Sequence, residues 1–184
     1  RQVRIDPWSV TEPWRGYVSR GLDARRRLRT LASQCPPGPV ASYLAHAVSR
    51  VDVAVEEQWA LARSGAALTG PGRHSGQVTE ELAHLQSSLR QAGGADRALL
   101  ASREEALASE LRSLRHSEAV AAQVSSQLSA LCTQLESLVA SGVQLVSAAA
   151  TADADLGALT SELDSLFGAL AEARRIMAGA PPSG

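Results

Sequence analysis

The chain has 184 residues, enough for one medium-sized domain with a real core or for one extended helical bundle. Its 18 basic residues, all arginine, stand against 19 acidic ones for a formal charge of −1, which argues against capture of nucleic acid by the domain as a whole. Aromatic residues make up only 3%, low for a β-sandwich or an α/β core, whereas Ala, Leu, Gln, Glu and Arg are strong helix formers, so the expected class is all-α.

A leading segment, residues 1–10, precedes the first predicted helix. Over 11–33 the residues Trp14, Val18, Leu22, Leu28 and Leu31 recur at near-helical spacing, with Thr11 as N-cap and Pro13 in the first turn. The run CPPGP at 35–39 ends that helix, because proline cannot sit inside one. A second helix is predicted over 39–68, where Leu44, Val48, Val51, Val55, Trp59 and Ala62 form one apolar face. The stretch TGPGRHSG at 69–76 reads as a flexible loop. A third helix over 77–91 turns Val78, Leu82, Leu85 and Leu89 inward, and Gly93 with Gly94 closes it.

The longest periodic segment covers 96–150. Leu100, Leu107, Leu114, Ala121, Leu128, Leu135, Gly142 and Ala149 recur every seven residues, with Val124, Leu131, Leu138 and Leu145 three positions on. A heptad sustained without proline predicts one long helix wound against partners. Its first half carries polar seam residues, Arg103, Glu110 and Ser117, and is expected to be less tightly packed there. TADAD at 151–155 reads as a turn, and 155–178 as a last helix with its own heptad rows, Leu156, Leu163, Leu170 and Met177 beside Leu159, Leu166 and Ala173. Residues 179–184 read as a disordered tail. The expected architecture is an elongated helical bundle. Helices four and five form a long antiparallel coiled-coil hairpin, helix three lies beside it, and helices one and two form a second hairpin.

Signals for chemistry are sparse. Cys35 and Cys132 are too few for a metal site and read as small buried hydrophobes. His46, His74, His84 and His116 stand singly; Glu81 and His84 make one Glu-x-x-His pair, but di-iron bundles need a second. No nucleophile, phosphate-loop or dinucleotide motif is present, so neither an enzyme nor a cofactor is expected.

Two features could meet a partner. The run RRRLR at 25–29, with Arg20 before it, concentrates positive charge: Arg20, Arg25, Arg26 and Arg29 could hold the phosphate of a nucleic acid or an anionic lipid, or could be a solvated face paired with acids such as Asp23. In the opening stretch Trp8, Trp14 and Tyr17 alternate with Arg1, Arg4, Arg15 and Arg20. That mixture suits the cytoplasmic boundary of a membrane after a spanning segment preceding Arg1. The same tryptophans could instead staple a loose segment onto the bundle.

The stretches DPWSVTEPWRGYV, ARRRLRTLASQCPPGP and VEEQWALARSGAAL, within residues 6–68, resemble the cytoplasmic helical region of actinobacterial membrane-anchored proteins. The organisation is similar to that of membrane partners of the phage-shock envelope-stress system. The resemblance implies a non-enzymatic scaffold or adaptor on the cytoplasmic side of the bacterial inner membrane, its anchor outside residues 1–184. Its coiled-coil faces would bind a protein partner or a second copy. An anionic membrane surface is a further expected contact, and nucleic-acid binding through the Arg20 to Arg29 patch is the alternative.

Overall fold

In the computed structural model the described residues are 5–70, 72–149 and 156–179. Among them a short 3-10 turn at Pro7–Ser9 is followed by α1 (Trp14–Gln34), α2 (Pro39–Leu68), α3 (Ser75–Gln91), α4 (Gly94–Ala149) and α5 (Leu156–Ala178). The turn read at 151–155, the tail beyond Gly179 and the arginines at 1 and 4 lie outside the described residues.

Local chemistry sets the helix ends. Asp6 accepts from the backbone of Trp8 and nucleates the opening turn. α1 starts at Trp14, three residues later than Thr11, with Pro13 at the capping position. It stops at Cys35, held extended because Pro36 clashes with a helical residue before it. Pro39 then occupies the first turn of α2, where its missing N–H costs nothing. α3 begins at Ser75, whose N–H and hydroxyl both donate to the Glu118 carboxylate of α4, at 3.0 and 2.6 Å. At the far end Gly94 adopts φ +57°, a left-handed conformation that glycine takes without strain, and the chain reverses into α4.

α4 is 56 residues long, about 84 Å at a rise of about 1.5 Å per residue, and its two halves have different company. Its second half packs with α1, α2 and α5 into a four-helix bundle. Val124, Leu128, Leu131, Leu135 and Leu138 are buried there against Leu28 and Leu44 of the first two helices and Leu159, Leu163, Leu166 and Leu170 of α5. Polar contacts give the directions. Trp14 of α1 meets Gly65 and Thr69 at the end of α2, while Arg29 meets Asp52, so α1 and α2 are antiparallel. Tyr17 bonds Ser125 at 2.8 Å and Arg20 bonds Glu136 at 3.0 Å, which sets α4 parallel to α1. Tyr43 with Thr160, Arg50 with Asp164 and Glu57 with Arg174 set α5 parallel to α2.

Among the described residues the arm-forming stretch of α4 ahead of Val120 has one partner, α3. Among the described residues α3 packs on α4 alone, and the two run antiparallel as an arm that leaves the bundle where α2 ends. Its core is a single short row, Val78 and Leu85 against Leu107 and Leu111, with Leu82, Leu100 and Leu114 half-buried beside it. The polar seam residues find a role here. Arg103 donates to Glu81 at 2.8 Å, Glu81 also pairs with Arg73, and Arg73 reaches Glu110 at 3.1 Å. This chain of charges closes one side of the arm, and Arg103 holds the Glu81 carboxyl below its ordinary range.

No helix among the described residues is long and apolar enough to cross a membrane.

Candidate functional site

The two opening tryptophans, six residues apart, have opposite fates. Trp14 is only 2% exposed. Its indole lies against Gly65, where any Cβ would overlap the ring, its Nε1 donates to Thr69 Oγ1 at 3.2 Å, and Tyr17 meets it edge-on with centroids 6.3 Å apart. This side chain staples α1 to α2 and is out of reach of any surface. Trp8 is 76% exposed, and its ring lies 4.7 Å under the Arg15 guanidinium. Arg15 also donates to the Val10 carbonyl at 3.3 Å and stands 4.0 Å from Glu12.

The arginines of α1 divide by face. Arg20 donates to Glu136 of α4 at 3.0 Å, an ion pair that raises the guanidinium pKa and lowers that of the carboxyl. Arg27 lines the same groove as Glu136. On the other side Arg29 reaches both oxygens of Asp52 in α2 at 2.8 and 2.7 Å, with Arg25 3.9 Å from the same carboxylate. Arg26, exposed on the surface, lies 3.4 Å from Asp23. Arg25, Arg26 and Arg29 together line an open groove of about 510 Å³, with Leu22, Thr30 and Ser33 of the same helix and Ile5 of the leading segment. Local pairing with Asp23 was legible in the sequence; Asp52 and Glu136, contributed by other helices, were not. Asp52 does leave a trace, a lone acid between Val51 and Val53 on an otherwise apolar stretch.

Among the described residues the bundle interior holds one buried polar side chain, Gln58, and with it a polar node. Gln58 is 1% exposed and donates from Nε2 to the Tyr17 carbonyl at 3.0 Å and to Cys132 Sγ at 3.2 Å. Its Oε1 has no hydrogen-bond partner and lies against Gly21, the only residue type whose backbone can come so close. Burial pushes the Cys132 thiol up, so it stays protonated and unreactive. The node ties α1, α2 and α4 in one register, a structural task.

Among the described residues no three His, Cys, Asp or Glu side chains are grouped to hold a metal ion. The structure therefore brings together Arg25, Arg26 and Arg29, keeps Arg20 apart on another face, exposes Trp8 beside Arg15 and removes Trp14 to the core. No protein family, no curated protein and no solved structure matches this chain.

Proposed function

We propose that this chain is a non-enzymatic scaffold or adaptor, the cytoplasmic helical domain of a membrane-anchored bacterial protein, which binds a protein partner or a second copy through its helical surfaces. The observation that carries the reading is the arm. A two-helix layer buries one row of side chains and leaves both its broad faces open, so it spends sequence on reach rather than on stability. Leu99, near its tip, is 73% exposed. An added helix laid along α3 and α4 would complete the kind of layer that α1, α2 and α5 complete farther along the same helix.

In this reading α4 and α5 wind as an antiparallel coiled coil. The supporting facts are the buried seven-residue rows, Leu128 and Leu135 on one side and Leu163 and Leu170 on the other, and antiparallel bonds such as Ser141 to Glu162 at 2.8 Å. The membrane side of the proposal rests on the resemblance to actinobacterial anchored proteins and on exposed Trp8 under Arg15. A photocrosslinking residue placed at Leu99, Ala106 or Ala83 of the arm, in the full-length protein in cells, should give one discrete adduct that Ser49 on the bundle does not. Adducts that are equal at all positions, or absent while the purified chain sediments as a monomer, would sink the arm as the docking element.

A further inference from the structure

The arginine groove carries an inference independent of the arm. Leu22, Arg25, Arg26, Arg29 and Thr30 fall at helical spacing on one stripe of α1, and Ile5 of the leading segment lines the same groove. Among the described residues three guanidiniums meet two carboxylates there, Asp52 and Asp23, leaving one net positive charge. The donor count is more lopsided still. Three guanidiniums present about fifteen N–H donors, and two carboxylates about eight lone-pair sites. Arg29 spends one nitrogen on both Asp52 oxygens, while Arg25 and Arg26 approach theirs only at 3.9 and 3.4 Å. The two hydroxyls of the lining are already spent as donors, Thr30 on the Arg26 carbonyl at 3.0 Å and Ser33 on the Thr30 carbonyl at 2.8 Å, so donation to a ligand in the groove falls to the arginines.

We propose that this groove binds a phosphate ester. A phosphoryl group offers three acceptor oxygens and up to two charges to planar, always-charged forks, a closer match than a single carboxylate makes. At about 510 Å³ the open groove has room for a headgroup-sized molecule, and Ile5 and Leu22 give it an apolar border. A soluble phosphorylated metabolite and the headgroup of an anionic phospholipid share this chemistry. Asp52 acts as the internal competitor: it holds Arg25 and Arg29 until the ligand arrives.

The test uses the whole chain, with pyrophosphate followed through the arginine Nε–Hε resonances, and with phosphatidylcholine vesicles sedimented with and without phosphatidic acid. Pyrophosphate should shift Arg26 and Arg29 saturably. Arg26→Ala, at an exposed position that the fold does not need, should weaken binding roughly tenfold, the worth of one charge-assisted contact. Arg27→Ala, on the Glu136 side, should leave it within about twofold. Asp52→Asn should tighten it several-fold, a gain that damage to the fold would not produce. Sedimentation with phosphatidic acid that pyrophosphate reverses makes the ligand a lipid headgroup; pyrophosphate binding without sedimentation makes it a soluble phosphate. No saturable binding in either format, or equal weakening by Arg26→Ala and Arg27→Ala, would overturn the site, because diffuse attraction to a basic helix would then explain everything.

Discussion

α4 passes through two environments without a break, and the contrast between them shows what a heptad does and does not specify. In the bundle its apolar rows meet three helices and are buried on most sides, from Val124 to Leu138. In the arm the same period continues through Leu100, Leu107 and Leu114, yet meets one helix and buries a single row. Period fixes which face turns inward; the number of partners fixes how much that face is worth. The arm compensates with charge, through the Arg103, Glu81, Arg73 and Glu110 chain and the Glu118 carboxylate that caps α3 at Ser75. Exposed ion pairs contribute little each, about 0–1 kcal/mol, so the arm should be the first part to open.

The sharpest way to break the contrast is Trp14→Ala. It removes the largest side chain of the bundle core and should cost about 3–5 kcal/mol of global stability, read as a shift of the denaturant midpoint. Leu85→Ala, the corresponding cut in the arm, should cost about 2 kcal/mol locally. Backbone hydrogen exchange over 75–118 should speed up while the bundle helices keep their protection; a uniform loss across the molecule would show that arm and bundle unfold as one unit.

Acid separates the regions more gently. Glu81 is held below the ordinary carboxylate range by Arg103, and Glu118 by its bonds from Ser75. Carboxyls depressed in the folded state contribute stability that is present above the ordinary carboxylate pKa, about 4, and is lost as pH falls through their lowered values. Glu136 of the bundle is lowered too, by Arg20, so the order is set by packing: with a single buried row, the arm's methyl contacts between Val78, Leu85 and Leu107 should loosen first below about pH 4, before the bundle's Leu128 and Leu163 respond. The smallest effect belongs to Trp8→Ala. Exposed and stacked only on Arg15, Trp8 should contribute about 0.5 kcal/mol to folding, so any larger loss, of vesicle binding for example, would mark it as a contact residue.

These regions also differ in how well the sequence announced them. The helical class and the inward rows of α4 and α5 follow from residue type and period alone, as burial of Leu131 and Leu138 in the one and Leu159 and Leu166 in the other bears out. The change of company along α4 does not, because the rows run through it unchanged; only Arg103, Glu110 and Ser117 hinted that one stretch is wetter. Trp8 and Trp14 look alike in the sequence. What separates them is Gly65 with Thr69, some fifty residues on, which leave a slot for one indole and none for the other. The arginine face was legible as a charge cluster, but its division into two sides depends on Asp52 and Glu136, brought in by tertiary packing.

The unbroken course of α4 has a mechanical consequence. About 25 residues of it stand outside the bundle, a lever of about 38 Å whose fulcrum lies where Val120 enters the core. A tilt of about 10° among the bundle helices would sweep the tip sideways by about 6–7 Å, more than one helical pitch. A small repacking around Gln58 and Gly21 would thus be read at Leu99 as a large displacement, and a load on the tip would return to the core as torque.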